Sequence, residues 1–237
     1  MTARTMLALG AATLALLAGA TAADLSSGPR TNDRAVAAEV TPATTATRVS
    51  NAKLKRVDAV ELDAETITLR RGDRTVAVAS MRDSRTTVSL LNRLFGTPSR
   101  TQTAEGDGGR CFPAGTTYTW GGALRVAALS TPSDLGNSLE VRVLRDDVRS
   151  RTGSIVELSG PDGVQVGDDI ERRVRDAAKT DRESLGSGDS KAWQLLLAEG
   201  WPSDADGAGT NGVSALTDGT TVTVIGSPMP VNAEHGC

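Results

Sequence analysis

Residues 75–98 read TVAVASMRDSRTTVSLLNRLFGTP and contain a strand pattern followed by a helix pattern. The strand pattern is a short alternating run, and residues 71–74 (RGDR) before it predict the turn of a β-hairpin. Ser84 can cap a helix, and the apolar residues of this helix share one face: Val88, Leu91, Leu94 and Phe95. Gly96 ends the helix and Pro98 prevents its return. A strand with a helix packed on it is therefore the predicted unit of the fold.

The order strand, helix, three strands occurs twice along the chain. Three strand patterns follow the first helix: Thr117–Trp120, Leu124–Leu129 and Leu139–Leu144. The second half repeats the order with strand patterns at Ile155–Leu158, Trp193–Ala198, Val213–Leu216 and Thr221–Ile225, and with a helix after Asp168 that carries Ile170, Val174 and Ala177. The chain is therefore predicted to be α+β, with two similar units at residues 57–150 and 151–237. Each unit is predicted to be a helix packed on an antiparallel sheet of three to four strands.

Two short motifs resemble the SmpA/BamE-like fold. In the first, an extended piece at residues 76–78 precedes a helix that ends in residues 95–98 (FGTP). In the second, residues 164–168 (VQVGD) resemble the opening of the same unit. A tandem of such units is the architecture of the secreted β-lactamase inhibitor protein family, and the layout is also similar to that of exported proteins of actinobacteria. The resemblance implies a tandem α+β fold and, as an activity, inhibition of a secreted hydrolase such as a β-lactamase or a protease.

The N-terminus has the pattern of a secretory signal. Arg4 precedes an apolar run at residues 6–18, and residues 20–22 (ATA) have the small-x-small pattern of a cleavage site. Residues 1–22 are therefore predicted to be a signal peptide and the protein to be secreted, with an uncleaved anchor as the alternative. Residues 23–56 are predicted to be a disordered linker. No later run reaches 18 apolar residues, so no membrane span is expected after cleavage.

Export changes how the two cysteines are interpreted. An even number of cysteines in an oxidising compartment favours a disulfide, so Cys111 and Cys237 are predicted to form an intramolecular bond. An intermolecular bridge and a pair of free thiols are the alternatives.

Composition limits the class of partner. The chain has 26 basic and 29 acidic residues and a formal net charge of −3. A nucleic-acid-binding domain usually carries a basic excess, so neither a nucleic acid nor an anionic membrane surface is an expected partner.

The sequence contains no convincing catalytic set. The single histidine, His235, is close to the C-terminus, where it is poorly placed for a triad. Residues 207–212 match Gly-x-Gly-x-x-Gly but precede a strand pattern rather than a helix. Residues 204–207 resemble only the beginning of a calcium loop. The protein is therefore predicted not to be an enzyme and to use no cofactor or metal.

The function predicted from these observations is that of an exported, non-enzymatic binding or envelope-associated protein. Its partner is expected to be a protein or a cell-envelope component that contacts a sheet face or loops. Trp201 is predicted to be an exposed binding anchor, because it stands beside Pro202 in a loop. The alternatives are an inhibitor of a secreted hydrolase, from the resemblance, and an unrecognised hydrolase that uses scattered carboxylates.

Overall fold

The computed structural model describes residues 49–107, 113–186, 191–202 and 209–233. The described residues form three short α-helices, which are α1 (Asn51–Leu54), α2 (Ser84–Phe95) and α3 (Glu171–Asp176). They also form thirteen strands: β1 (Ala59–Leu62), β2 (Thr66–Arg71), β3 (Arg74–Ser80), β4 (Arg100–Ala104), β5 (Gly115–Trp120), β6 (Leu124–Leu129), β7 (Leu139–Val143), β8 (Asp147–Arg149), β9 (Ile155–Ser159), β10 (Arg182–Ser184), β11 (Trp193–Glu199), β12 (Gly212–Asp218) and β13 (Thr221–Ser227). The described part of the chain is therefore mostly β.

The strands form two sheets. The five-stranded sheet has the order β3-β2-β1-β9-β8, and the eight-stranded sheet has the order β10-β11-β12-β13-β7-β6-β5-β4. Neighbouring strands are antiparallel, with the exception of β1 and β9, which are parallel and pair Ala59 with Glu157. Each sheet therefore combines strands that are far apart in the sequence.

The predicted α+β fold of two helix-on-sheet units is wrong. The five-stranded sheet takes β9 from residues 151–237 and places it between β1 and β8, which come from residues 57–150. The eight-stranded sheet joins the same two ranges where β13 pairs with β7. In addition, α3 has only six residues and buries only Val174, so it cannot cover a sheet. Alternating side chains identify a strand, but they do not identify its neighbour.

The hairpin and the first helix are confirmed. Strands β2 and β3 pair in antiparallel fashion, and Gly72 in their turn has a φ of 52°, a conformation that favours glycine. The helix α2 buries one face, made of Thr87, Leu90, Leu91, Leu94 and Phe95. Its cap differs from the expectation, because Asp83 rather than Ser84 accepts a hydrogen bond from the Thr86 backbone N–H at 3.0 Å.

The core lies on the inner face of the eight-stranded sheet. There, Leu124, Val126 and Val141 are buried in one hydrophobic cluster with the residues of α2 and the five-stranded sheet. The Trp120 ring N–H donates to the Gly96 carbonyl at 3.0 Å, which ties the end of α2 to β5. The opposite face of β4–β7 is called the outer face below.

The predicted linker ends earlier than expected. Val49 and Leu54 are buried, and α1 lies within the range 23–56, so residues 49–56 belong to the folded part. Residues 1–48, which include the predicted signal peptide, lie outside the described residues, as do Cys111 and Cys237. Among the helices of the described residues, none is long and apolar enough to cross a membrane.

Candidate functional site

Trp201, the predicted exposed anchor, lies in the interior. Its relative exposure is 0%, so the prediction of an exposed binding residue is wrong. The ring N–H donates to the Ala64 carbonyl and lies 3.2 Å from the Ser227 hydroxyl. Ala64 follows β1 of the five-stranded sheet, and Ser227 ends β13 of the eight-stranded sheet. Trp201 therefore connects the two sheets.

The surroundings of Trp201 explain why it is buried. The Arg82 guanidinium lies 4.8 Å from the centre of the indole ring, a distance at which a cation–π interaction is favourable. Arg82 also forms an ion pair of 3.0 Å with Glu65, and Glu65 accepts from the Trp201 backbone N–H at 3.3 Å. The ring is thus held by residues that are distant in the sequence.

The motifs considered for chemistry lie only partly within the described residues. No group of three or more histidine, cysteine, aspartate or glutamate residues in that part of the chain is placed to hold a metal ion. Residues 209–212, the end of the Gly-x-Gly-x-x-Gly motif, lead into β12 rather than into a helix. His235 and residues 204–207 lie outside the described residues.

An open groove runs along the solvent side of α2. It has a volume of about 570 Å³, and a second hollow of about 400 Å³ adjoins it, sharing Arg93 and Arg151. We call the two together the basic groove. Its lining residues are Asn51, Leu54, Lys55, Ser84, Arg85, Val88, Ser89, Asn92, Arg93, Leu94, Tyr118, Ala128, Ser150, Arg151 and Thr152.

The geometry of α2 places two arginines on one side of the groove. Arg85, Ser89 and Arg93 are spaced by four residues, so they lie along one stripe of the helix. Arg85 and Arg93 are two turns apart, which corresponds to about 12 Å along the axis. The buried face of α2 points the other way, which leaves this stripe open to ligand.

Arg151 and Lys55 complete the cationic lining from other parts of the chain. Lys55 is the residue after α1, and Arg151 follows β8. The Arg151 backbone N–H donates to the Leu94 carbonyl at 2.8 Å, so the loop that carries Arg151 is fixed to the end of α2. The groove therefore combines four cations from three segments.

The charge of the groove is not neutralised locally. None of the described lining residues is acidic. Arg85, Arg151 and Lys55 form no side-chain hydrogen bond or ion pair with the described residues, whereas Arg93 is oriented by the Asn51 side chain at 2.8 Å and by the Val49 carbonyl. In a chain with a net charge of −3, such a groove is a local concentration of positive charge.

The acid nearest to this stripe in the sequence is Asp83, at the start of α2. Its carboxylate accepts from Thr86, and this hydrogen bond holds the pKa of Asp83 below its usual value, with the Arg85 charge acting in the same direction. The carboxylate is therefore used as a helix cap and leaves the Arg85 guanidinium available.

Asn92 contributes an unusual polar group to the groove. Its side-chain oxygen is buried and accepts no hydrogen bond from the described residues. A buried acceptor without a donor costs about 1–3 kcal/mol. Because this oxygen has almost no accessible surface, a ligand in the groove would reach it only if the Asn92 side chain turned.

The polar stripe of α2 was visible in the sequence, since Arg85 and Arg93 follow the helical period opposite to the buried face. Arg151 and Lys55 could not be assigned to the same site, because only the tertiary fold brings them there. The chain matches no protein-family model, no curated protein and no solved structure. The functional inference therefore rests on the groove's own residues.

Proposed function

We propose that this chain is an exported, non-enzymatic binding protein whose basic groove binds an acidic segment of another protein. The observation that carries the proposal is the presence of Lys55, Arg85, Arg93 and Arg151 in one groove without an acidic lining residue. The signal-like pattern of residues 1–22 supports export. Arginine is well suited to such a site because its planar fork pairs with carboxylates through two hydrogen bonds.

A protein segment fits the groove better than a simple anion. The sides of the groove include Val88, Ala128 and the Tyr118 ring, which can contact apolar atoms of a polypeptide. A peptide supplies both carboxylates and apolar atoms, whereas an inorganic anion supplies charge alone.

The lining also favours binding over catalysis. Ser84 and Ser89 are potential nucleophiles, but a serine needs a neighbouring base to react. Histidine, aspartate, glutamate and cysteine are not among the described lining residues. The lysine and the three arginines of the lining can pair with acidic side chains of a ligand. The groove is open to solvent along α2, so an extended segment can lie in it.

The proposal is tested by capture of partners on the immobilised full chain. Culture fluid and detergent-extracted cell-wall proteins are passed over the wild type and over the double variant Arg85→Gln/Arg151→Gln, and bound proteins are identified by mass spectrometry. These two side chains form no hydrogen bond in the described residues, so the variant is expected to fold. We expect the affinity for the captured partner to fall at least about tenfold, since each charge-assisted hydrogen bond contributes about 1.5–3 kcal/mol.

The matched control is Arg172→Gln/Arg175→Gln, which removes the same charge from the exposed surface of α3. It is expected to bind as the wild type does. Equal binding by the groove variant, or chemical turnover of the captured molecule, would contradict the proposal. If the partner is a secreted hydrolase, its activity with and without the protein shows whether binding also inhibits.

A further inference from the structure

Three arginines lie in one row across the outer face of the eight-stranded sheet. Arg142 of β7 is directly opposite Arg125 of β6, Arg125 is opposite Thr119 of β5, and Thr119 is opposite Arg100 of β4. Residues that are directly opposite in an antiparallel pair point to the same face. We call these four residues the arginine row.

The arginine row is on the other side of the sheet from the basic groove. Side chains alternate between the two faces along a strand. Tyr118 and Ala128 line the groove. Tyr118 is next to Thr119, which belongs to the row, so the groove and the row lie on opposite faces of the sheet. A ligand on the row therefore cannot contact the groove, and the two surfaces can be tested separately.

The outer face is covered at one end of the sheet and open at the other. Residues 228–231 lie over β11 and β12, where the Ser214 hydroxyl donates to the Met229 carbonyl at 2.6 Å and the Gln194 amide donates to the Pro230 carbonyl at 2.7 Å. Over β4–β7, Arg100 and Arg125 are exposed. Arg100 and Arg125 of the arginine row thus lie in the open half, Arg142 is half-buried, and Thr119 is buried between them.

Arg142 is fixed in position by its neighbours. It is half-buried and lies across Gly226 of β13, where an added Cβ would come within 2.6 Å of its Cδ. Its guanidinium donates to the Val141 carbonyl at 2.9 Å and reaches the Ser227 carbonyl at 3.5 Å. Glycine at position 226 is therefore required for this placement of Arg142.

The row carries more positive charge than its surroundings balance. Glu140 is the single acidic residue in β4–β7, and it forms no ion pair with the three arginines. Burial lowers the pKa of Arg142, and the Glu140 charge raises it. Arg125 and Arg142 are like charges at directly opposed positions, which destabilises a sheet. An anion bound between them would relieve this repulsion.

We propose that the arginine row binds an extended acidic segment of a partner protein. From Arg100 to Arg142 the row spans three strand spacings of about 4.8 Å, or about 14 Å. Arg142 and Arg125 are one strand spacing apart, and Arg125 and Arg100 are two strand spacings apart. An extended segment of five residues also spans about 14 Å, so one such segment can reach all three arginines through its flexible acidic side chains.

A single-stranded nucleic acid fits this face less well. Proteins that bind single strands usually stack bases on aromatic side chains. On β4–β7 the aromatic residues are Tyr118 and Trp120, and both point to the inner face. The outer face offers charge without a stacking platform.

The test uses the full chain and two labelled peptides of the same length. In the first, called the alternating peptide, glutamate and threonine alternate; in the second, glutamine replaces every glutamate. Fluorescence anisotropy measures both affinities, with inorganic polyphosphate as a competitor. We expect the alternating peptide to bind at least about fivefold more tightly than the glutamine peptide, because only its carboxylates can form charge-assisted hydrogen bonds with the arginines.

Two substitutions connect this binding to the row. Arg125→Gln removes an exposed side chain with no partner in the described residues, and Gly226→Ala displaces Arg142; each is expected to weaken binding of the alternating peptide by about tenfold. Arg125→Gln is also made in the groove variant Arg85→Gln/Arg151→Gln, in which the groove binds acidic segments weakly, and the same tenfold loss is expected there. Thermal unfolding of each variant confirms that it is folded.

The possible results separate this proposal from the proposed function. Equal affinity for the two peptides, an unchanged affinity in Arg125→Gln, or polyphosphate that competes better than the alternating peptide would overturn the proposal for the row. An unchanged affinity when Arg125→Gln is added to the groove variant would overturn it as well, because the peptide would then bind elsewhere than on the row. Failure of partner capture by the groove leaves the result for the row unaffected.

Discussion

At the scale of the residue, Trp201 is buried by partners that its local sequence does not reveal. Beside Gly200 and Pro202, it has the composition of a surface loop. Its ring nevertheless packs under Arg82 and bonds to Ala64, which precedes it by more than a hundred residues. Local composition predicts a loop correctly, but it cannot show whether a loop residue is covered by a distant segment.

Trp201→Ala is expected to lower the free energy of unfolding by about 3–5 kcal/mol, because it leaves a cavity between the two sheets. Trp201→Phe keeps most of the ring and loses the N–H, so a smaller loss of about 1–3 kcal/mol is expected. Urea denaturation followed by circular dichroism measures both. A loss below about 1 kcal/mol in the alanine variant would contradict the buried position.

At the scale of the element, α2 is the best-predicted part of the molecule. Its length and stop signal at Gly96 follow from helical periodicity and capping. One detail differs from the prediction, because Asp83 rather than Ser84 is the cap. Val88 is half-buried and packs against the core, and it also lines the basic groove. Both Ser84 and Asp83 have side chains suited to capping, so the sequence pattern alone could not choose between them.

Asp83→Ala is expected to destabilise the protein by about 0.5–1 kcal/mol, the lower part of the range for caps, because the carboxylate is exposed. The pKa of Asp83 is lowered in the folded state, chiefly by its hydrogen bond to Thr86. The charged cap therefore stabilises the fold above the unfolded pKa of about 3.9, and this contribution is lost as the pH falls through the folded value.

The measurement is thermal unfolding of the wild type, Asp83→Ala and Asp83→Asn at neutral pH and at pH values below the unfolded pKa. Asparagine can cap the helix but does not titrate. The wild type should lose its advantage over Asp83→Asn as the pH falls. A difference between these two proteins that does not change with pH would show that the charge of Asp83 contributes nothing.

The candidate sites were predictable only in part at this scale. The arginines of α2 could be placed on its polar face from the helical period. The arginine row could not be found, because β4 had no clear strand pattern and its register against β5 depends on the fold. Positions across a sheet are set by pairing, and pairing is not encoded by alternation within one strand.

At the scale of the whole molecule, the strands were mostly predicted and their assembly was not. The patterns at 155–158 and 221–225 do correspond to β9 and β13. Their repeated order suggested two units, yet β9 enters the five-stranded sheet beside β1 and β13 pairs with β7. Similar local order in two halves therefore did not mean that each half forms its own core.

Residues 49–150 expressed alone are expected not to fold cooperatively. This fragment leaves β1 without β9 and β7 without β13, so both sheets have an open edge and part of the core is exposed. Residues 49–237 are the control. Thermal unfolding by circular dichroism should show a sharp transition for the control alone, and a sharp transition in the fragment would contradict this expectation.

The parallel pair of β1 and β9 also fixes an order of events during synthesis. Ala59 of β1 pairs with Glu157 of β9. The edge of β1 that faces away from β2 therefore has no partner until β9 has been synthesised. The roughly 100 residues from Ala59 to Glu157 take about 5–20 s to synthesise at about 5–20 residues per second. During that time, the nascent chain exposes an unpaired strand edge, so the five-stranded sheet cannot be completed before β9 has been synthesised.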